Sequence, residues 1–378
     1  MERTTTAPMD WAQMDPGEAS EAIAAAAIDT LDWVALANVK PKPKAFVVPL
    51  FAPAGEVTLF SGPGSAGKSL LVQQLATALA AGVPTLRLDM GQAPAIYLTC
   101  EDDEEQLHWR QAHICEAMGV PMASLAGKLE VASLRGALDN AMGTEGPEGD
   151  FVLSPAYHRL AAMVRRTGAK LVALDNVAHL FTGNENDRGQ VTRFVNALNR
   201  LAGETDAAII LLAHTNKAGD NWSGSTAWLN AVRSQIVIEH DHETDMRTLT
   251  VGKANYTRNG ERVRFAWLNW AFVHEDDLPP DTAQQLEAVA RAHAGNDAFL
   301  ECLALCTKQR RNVSHRSGTN YAPKVFAGMP EAKGRKKADF AAALERLLSR
   351  QVIECDAELW RGPDRKPRRG IKLVEGGE

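Results

Sequence analysis

Cysteine is scarce in this chain and its few copies are scattered. There are five in 378 residues, and the only close pair, Cys302 and Cys306, has helical i,i+4 spacing without an adjacent histidine. A disulfide framework or a structural zinc site needs several closely spaced cysteine or histidine ligands. We therefore expect neither disulfides nor bound zinc.

Long apolar runs are also missing. No stretch approaches the eighteen consecutive apolar residues that a membrane-spanning helix requires. The N-terminus carries acidic residues and no basic flank before an apolar core, which disfavours a secretory signal. We therefore expect a cytoplasmic protein without a membrane partner.

Charge is distributed unevenly along the chain. The formal net charge is −6, yet residues 302–372 contain 17 lysines and arginines against 7 aspartates and glutamates. The region before about residue 276 is correspondingly acidic. A basic segment behind an acidic one predicts a nucleic-acid partner.

The most informative pattern is a glycine-rich turn at residues 62–69, which matches G-x-x-x-x-G-K-[ST]. A β-branched and aromatic run precedes it, and leucines at helical spacing follow it. Backbone N–H groups of such a turn converge on phosphate, so we expect bound ATP, with Lys68 at the β/γ-phosphates and Ser69 on Mg²⁺. The predicted nucleotide contacts are Gly62, Gly64, Ser65, Ala66, Gly67, Lys68, Ser69 and Leu70.

Strand-like and helix-like segments alternate after this turn. Apolar runs at 93–99, 169–175 and 207–213 are separated by amphipathic stretches, which predicts an α/β fold with a mostly parallel sheet covered on both faces. Three later runs, at 235–238, 248–251 and 263–267, have hairpin spacing and are expected to extend that sheet.

Acidic residues follow two of these strands. Asp175 ends one strand, where a carboxylate reaches the outer shell of the Mg²⁺ held by Ser69 and the nucleotide. Glu101 follows the neighbouring strand and is the candidate general base that activates water. Asp102 and Asp103 are alternatives, and a solvated acidic helix start would explain the same cluster.

Two basic residues complete the candidate site. His214 ends the fourth strand, where it would sense the γ-phosphate or serve only as a core histidine. Arg233 would stabilise transition-state charge from a neighbouring subunit, although a surface salt bridge also fits.

Taken in order, these motifs resemble the RepA-type branch of RecA-like P-loop ATPases, whose type member is a hexameric plasmid replicative DNA helicase. The resemblance spans about residues 45–270, and many phage and mobile-element proteins share it. The segments that carry it are residues 62–69, 97–102, 171–175, 213–214, 223–226 and 230–233.

The resemblance implies a role for each matched residue. Glu101 is the base, His214 the γ-phosphate sensor, Arg233 the finger acting in trans, and Lys253 a basic position near the subunit interface. It also implies a homo-hexamer whose loops 181–190 and 215–228 face a central channel. Arg188, Lys217 and Trp222 would contact single-stranded DNA there, unless they are ordinary solvated residues.

The sequence divides into four predicted parts. These are an N-terminal segment and connector (1–44), a RecA-like ATPase domain (45–275), a linker (276–296) and a basic domain (297–378). Helices followed by a basic hairpin in the last part suggest a small winged-helix-like domain that contacts duplex DNA. A solvated charge run or a protein-docking wing would give the same pattern, and the resembling family has no such domain.

Two functions from different classes remain open at this point. The first is a ring-forming replicative DNA helicase of a plasmid, phage or mobile element. The second is an ATP-dependent DNA-binding regulator or recombination or replication-initiation accessory protein that displaces no strand. A nucleotide kinase shares the loop, but the sequence offers no candidate lid or acceptor site.

Overall fold

The computed structural model describes residues 30–146, 151–214, 226–256, 260–362 and 364–374. Several predicted features lie outside them, namely the start of the N-terminal segment, Lys217, Trp222 and residues 223–225. The chain divides into two units, residues 1–44 and 45–378. The described part of the first unit contains one short helix, α1 (Trp33–Ala37), capped by the Asp32 carboxylate.

The second unit begins with an α/β region whose strands and helices alternate. Its elements in chain order are β1 (Phe46–Val48), β2 (Ala52–Pro53), β3 (Val57–Gly62), α2 (Lys68–Ala81), β4 (Ala95–Thr99), α3 (Glu104–Met118), β5 (Leu129–Ser133), β6 (Gly143–Glu145), β7 (Phe151–Leu153), α4 (Pro155–Thr167), β8 (Leu171–Asp175), α5 (Val177–Leu180), α6 (Arg188–Thr205), β9 (Ala208–His214), α7 (Thr226–Ala231), β10 (Ser234–Asp241), β11 (Met246–Ala254), β12 (Arg262–Leu268) and β13 (Ala271–His274).

Nine of these strands form one central sheet in the order β13-β12-β11-β10-β3-β9-β8-β4-β5. All pairings from β10 to β5 are parallel. The pairings from β10 to β13 are antiparallel, so the predicted hairpin strands do extend the same sheet. The predicted α/β fold with a mostly parallel sheet is confirmed.

Every residue of β3, β4 and β8 is buried, which explains why these strands are mostly apolar. One apolar core lies between the sheet and α2 and includes Phe60, Leu75 and Ile210. A second core lies on the opposite face and includes Leu160 of α4 and Phe194 of α6. The sheet is therefore the middle layer of three.

The edge strand β13 is bound to helix α2 through one side chain. The Gln74 carboxamide donates from Nε2 to the Phe272 carbonyl and accepts from the Phe272 N–H, both at 2.8 Å. The Phe272 ring packs against Gly67, where an added Cβ would lie 2.5 Å from the ring. The sheet thus curls until its antiparallel edge contacts the glycine-rich turn.

The C-terminal part consists of helices and one hairpin around a separate apolar core. Its core contains Phe299, Phe326 and Phe340, and the Ile371 N–H donates to the Val313 carbonyl at 3.0 Å. Whether this arrangement acts as a winged helix stays a prediction. Its elements are α8 (Pro280–Lys308), α9 (Ala322–Phe326), α10 (Lys337–Ser349), β14 (Ile353–Arg361) and β15 (Pro367–Leu373).

The interval 276–296, predicted as a linker, is mostly helical. Helix α8 already begins at Pro280, because proline at the first helical position sacrifices no intrahelical hydrogen bond. Leu286 of this helix packs beside Leu278 against strand residues such as Met246. Although α8 is 29 residues long, no helix in the described part of the chain is long and apolar enough to cross a bilayer.

The Gln74 contact gives a testable prediction for stability. Gln74→Leu keeps the side chain's bulk but leaves the Phe272 N–H and carbonyl buried without that partner. Each such group costs about 1–3 kcal/mol, so we expect the free energy of unfolding to fall by about 2–4 kcal/mol. Urea unfolding followed by tryptophan fluorescence measures this loss.

The matched control is Gln285→Leu, an identical exchange at an exposed position on α8. It should alter the free energy of unfolding by no more than about 0.5 kcal/mol. Equal effects of the two substitutions would show that the carboxamide does not hold β13.

Candidate nucleotide site

Four strands bring the predicted site residues to one edge of the sheet. The strands β3, β9, β8 and β4 are parallel neighbours, so their carboxyl ends meet at the same edge. Gly62, His214 and Asp175 end three of these strands, and Glu101 follows the fourth. Residues that lie up to 152 positions apart in the chain are therefore neighbours in space.

The glycine-rich turn connects β3 to the first residue of α2, Lys68. Gly67 is the N-terminal cap in a left-handed conformation, with φ of 92°, which a residue with a Cβ adopts only with strain. Ala66 is buried, whereas Gly64 and Ser65 are exposed. Backbone N–H groups of this turn and of the helix start suit an anion.

The Lys68 ammonium lies inside the turn. Its Nζ donates to the carbonyls of Gly62 at 2.8 Å and Pro63 at 2.9 Å, and it lies 3.3 Å from His214 Nδ1. Burial lowers the Lys68 pKa to about 8, although the nearby carboxylates of Asp175 and Glu101 oppose that shift. A phosphate group would also favour the charged form of this ammonium.

Asp175 is a buried carboxylate beside the first turn of α2. Its Oδ2 accepts from Ser69 Oγ at 2.6 Å and from the Tyr97 hydroxyl at 2.9 Å. Burial raises the Asp175 pKa, the Ser69 and Tyr97 hydrogen bonds oppose this, and the nearby negative charges of Glu101 and Asp102 add to it. A cation at this position would stabilise the carboxylate.

Glu101 and His214 form the next part of the site. Glu101 Oε1 lies 3.4 Å from His214 Nε2 and also accepts from the Asn176 carboxamide. The hydrogen-bond partners indicate which nitrogen of His214 carries the proton. If Nδ1 accepts from the Lys68 ammonium, the proton is on Nε2, which faces Glu101. The imidazole thus lies between Lys68 and the candidate base Glu101.

The carboxylates of the two alternative bases, Asp102 and Asp103, form other interactions. Asp102 forms an ion pair with Arg110 at 2.8 Å, and Arg110 also donates to Gln73 of α2. Asp103 caps α3 by accepting from the Gln106 N–H, and it pairs with Arg135 at 2.7 Å. This geometry favours Glu101, although its catalytic role stays a prediction.

The donor set fits a nucleotide with a divalent metal. The hydroxyl of Ser69 and the carboxylate of Asp175 are hard oxygen ligands of the kind that Mg²⁺ prefers, and they already lie together. When bound, Mg²⁺ would neutralise charge on the phosphates. Lys68 would hold the phosphates and Glu101 would orient or deprotonate water.

Arg233 lies at the amino ends of the parallel strands, opposite the carboxyl ends that carry the site. It directly precedes β10, whose first residue Ser234 pairs with Thr58 at the start of β3, so Arg233 is level with Val57. Five residues of extended strand, about 17 Å, separate that level from Gly62. Arg233 is exposed beside a polar cavity of about 580 Å³ that also includes Lys253.

Lys253 contacts the backbone just before Arg233. Its Nζ donates to the carbonyls of Leu229 at 2.7 Å and Val232 at 2.8 Å. Burial lowers the Lys253 pKa, and the charge of Arg233 contributes. The ammonium therefore holds the chain segment that carries Arg233.

Sequence reasoning missed several side chains that complete the site. Tyr97 and Asn176 contact the predicted acids, and Phe272 supports the glycine-rich turn. Asn176 follows Asp175 directly, so its position after a strand was an available signal. Of the predicted DNA contacts, Arg188 is exposed at the start of α6.

The fold and this site define a P-loop ATPase of the AAA or RecA-like type. Residues 24–220 match the family described as the AAA domain. This match covers more than half of the chain, and the chain belongs to that family. A central parallel sheet with the turn at the end of β3 fits a RecA-like core.

Glu101→Gln should retain nucleotide affinity and lose ATP turnover by about a hundredfold or more, because a general base contributes that much. Turnover at saturating ATP and equilibrium binding of a fluorescent ATP analogue measure the two effects. Asp102→Asn and Asp103→Asn are the controls, since their carboxylates pair with Arg110 and Arg135. A comparable loss of turnover in Asp103→Asn, with Glu101→Gln near wild type, would reassign the base.

Proposed function

We propose that this protein is a ring-forming, ATP-driven DNA motor, a replicative helicase similar to the RepA type. It would work as a homo-hexamer on the DNA of a plasmid, phage or mobile element. Loops 181–190 and 215–228 would contact single-stranded DNA, and the basic C-terminal part would contact duplex DNA.

The position of Arg233 is the observation that carries this proposal. The Arg233 backbone lies about 17 Å along the sheet from its own glycine-rich turn, so its side chain does not reach the phosphates at that turn. It is nevertheless exposed, lies beside a polar cavity and is held by the Lys253 contacts. These features support a finger that completes the site of an adjacent subunit, which in turn favours a ring.

The direct test of the motor is strand displacement. Wild-type protein with ATP and Mg²⁺ should separate a duplex that carries a single-stranded tail, with either the 3′ or the 5′ tail preferred. Lys68→Ala, which removes the charge at the β/γ-phosphates, should separate none. If DNA stimulates ATP hydrolysis but no tailed duplex is separated, the helicase function is rejected and the DNA-binding regulator remains as the candidate.

The trans role of Arg233 is tested by mixing two inactive variants. Arg233→Ala subunits keep an intact turn, and Lys68→Ala subunits keep an intact finger. We expect each variant alone to lose ATP turnover by about a thousandfold, and mixed assemblies to recover a measurable part of it. Co-purification of untagged Lys68→Ala subunits with affinity-tagged Arg233→Ala subunits must first show that the two variants co-assemble.

The control for this mixture is Arg159→Ala combined with Lys68→Ala. Arg159 is an exposed arginine of α4 that pairs with Asp139, so its variant should remain active alone. If verified mixed assemblies of the Arg233 and Lys68 variants stay inactive, the finger does not act between subunits.

The second candidate, a DNA-binding regulator, is favoured by the basic hairpin of β14 and β15. Its turn and strand β15 carry Arg365, Lys366, Arg368 and Arg369, all exposed. Among these four residues, Arg368 forms an ion pair with Asp364 at 3.3 Å. In both candidate functions this hairpin contacts duplex DNA, but only the regulator requires that contact for its activity.

Exchange of these four residues for glutamine should weaken duplex DNA binding by the full chain. Each lost phosphate contact reduces the slope of log affinity against log salt by about one. Basal ATP turnover should change less than about twofold, because the hairpin belongs to a different core from the site.

A charge-matched control replaces Arg159, Arg165, Arg166 and Arg200 on α4 and α6 by glutamine. These side chains are exposed and paired with acidic residues, so this exchange should leave the salt slope nearly unchanged. Identical slopes for wild type and the hairpin variant would remove duplex DNA as its partner and favour a protein.

A further inference from the structure

The segment that follows α8 lies against the C-terminal hairpin. The Ile371 N–H donates to the Val313 carbonyl at 3.0 Å, and a Cβ added to Gly370 would lie 2.6 Å from that oxygen. The Asn312 carboxamide donates to the Arg369 carbonyl at 3.2 Å. This segment therefore runs directly beside β15 and extends the surface that the hairpin presents to solvent.

Four exposed arginines lie at this junction, and we call them the arginine patch: Arg310, Arg311, Arg316 and Arg369. The first two directly precede Asn312, which contacts the backbone of Arg369. Arg316 donates to the Asp356 carboxylate at 2.7 Å, and the Arg369 guanidinium lies 3.5 Å from the backbone carbonyl of Asp356. Contacts on both strands of the hairpin thus hold the patch together.

Acidic residues balance little of the positive charge in the patch. Within the part of the chain that the structure describes, Asp356 is the only acid that forms an ion pair with any of the four arginines. Four guanidinium groups thus share a single carboxylate partner. Like charges held together repel one another, so a cluster of this kind favours an anionic ligand. The planar guanidinium group fits phosphate in particular, because it donates two parallel hydrogen bonds.

Helix α10 occupies the place of the recognition helix in a helix-turn-helix arrangement, yet its exposed face carries little that reads bases. One stripe of this face has i, i+4, i+7, i+11 spacing and consists of Ala338, Ala342, Glu345 and Ser349, all exposed. Alanine side chains form no hydrogen bonds, and the Glu345 carboxylate would repel nearby phosphates. The Lys337 ammonium, which precedes the stripe, lies 5.5 Å from the centre of the Tyr321 ring.

We propose that the arginine patch holds the phosphate backbone of duplex DNA, and that the C-terminal part binds DNA by this hairpin side independently of base sequence. Contacts to phosphate position a protein on DNA but carry no direct sequence information. This inference rests on the duplex contact in the proposed function. It adds the residues after α8 to that contact and specifies how the DNA is recognised.

The surroundings of the patch favour duplex over single-stranded DNA. Proteins that hold single strands present exposed aromatic rings on which the bases stack. Within residues 297–362 and 364–374, no aromatic side chain is among the exposed large apolar ones. The C-terminal part therefore anchors the ATPase on a duplex of any sequence and does not select a site on it.

The first experiment measures the affinity of the full chain for fluorescent duplexes of equal length and unrelated sequence. Wild-type affinities should agree within about threefold, because the backbone is the same in every duplex. Combined exchange of Arg310, Arg311 and Arg316 for glutamine should lower the slope of log affinity against log salt by about three. At about 0.1 M salt the affinity should fall by about a hundredfold.

The charge-matched control is combined exchange of Arg159, Arg165 and Arg200 for glutamine. These arginines are exposed and pair with acidic residues of the ATPase region, so both affinity and slope should remain close to wild type. A similar loss in this control would assign the effect to net charge and reject the patch.

Two single substitutions test the patch without removing an arginine. Asp356→Asn should raise duplex affinity about threefold or more, since it removes the one carboxylate that pairs with the patch. Asparagine tolerates the positive φ of this position, 58°, so the hairpin should keep its conformation. Ala342→Glu adds a negative charge to the exposed stripe of α10 and should change affinity by less than about threefold.

Several results would overturn the proposal. An unchanged slope in the triple variant, with a reduced slope in the hairpin variant, would reject the patch and leave the proposed hairpin contact intact. Loss of binding in Ala342→Glu, or a strong preference for one sequence, would show that α10 reads bases. If the triple variant fails to fold, weaker or unchanged binding by Asp356→Asn still rejects the patch.

The fate of this inference is separable from that of the motor. If wild type binds no duplex, both the proposed duplex contact and the patch are rejected, whereas strand displacement on a tailed duplex still decides the helicase. If the patch variants behave as expected in a protein that displaces no strand, the inference stands and the DNA-binding regulator is favoured.

Discussion

Parallel pairing of β3, β9, β8 and β4 is the constraint on which the rest of the molecule depends. Because all four carboxyl ends meet at one edge, Lys68 lies 3.3 Å from His214, His214 lies 3.4 Å from Glu101, and Asp175 is hydrogen-bonded to Ser69, the residue after Lys68. A single antiparallel strand among them would move one of these groups to the far edge. The apolar cores on both faces keep this arrangement rigid.

The charges at this edge offset one another only in part. Burial lowers the pKa of Lys68 to about 8 and raises that of Asp175, so each group is less stable in its charged form than in water. A magnesium nucleotide would supply an anion to the lysine and a cation to the carboxylate. The site is therefore arranged for such a ligand, and removing one charged partner would leave another charge uncompensated.

The same strand geometry divides the candidate catalytic residues between the two ends of the parallel strands. Lys68, Glu101 and Asp175 lie at the carboxyl edge, whereas Arg233 and the Lys253 that holds its segment lie at the amino edge. Phe272 and Gln74 attach the antiparallel extension to the glycine-rich turn and to helix α2. One sheet thus fixes the positions of both the glycine-rich turn and Arg233, the candidate finger.

The sequence by itself determined the glycine-rich turn, Ser69 and the α/β alternation, because each is a local pattern of strand, turn and helix. It also ranked Glu101 first but could not exclude Asp103, since only the folded chain shows that Asp103 caps α3. The helical start of α8 was missed because its proline pair resembled a linker.

Only the tertiary structure decided which distant residues meet. Tyr97 bonds Asp175 across 78 positions and Gln74 bonds Phe272 across 198, and no local pattern encodes such pairs. The opposite-edge position of Arg233 likewise follows from the register of β10 on β3. Strand order and register arise from packing of the whole sheet, which is why they could not be obtained from spacing along the chain.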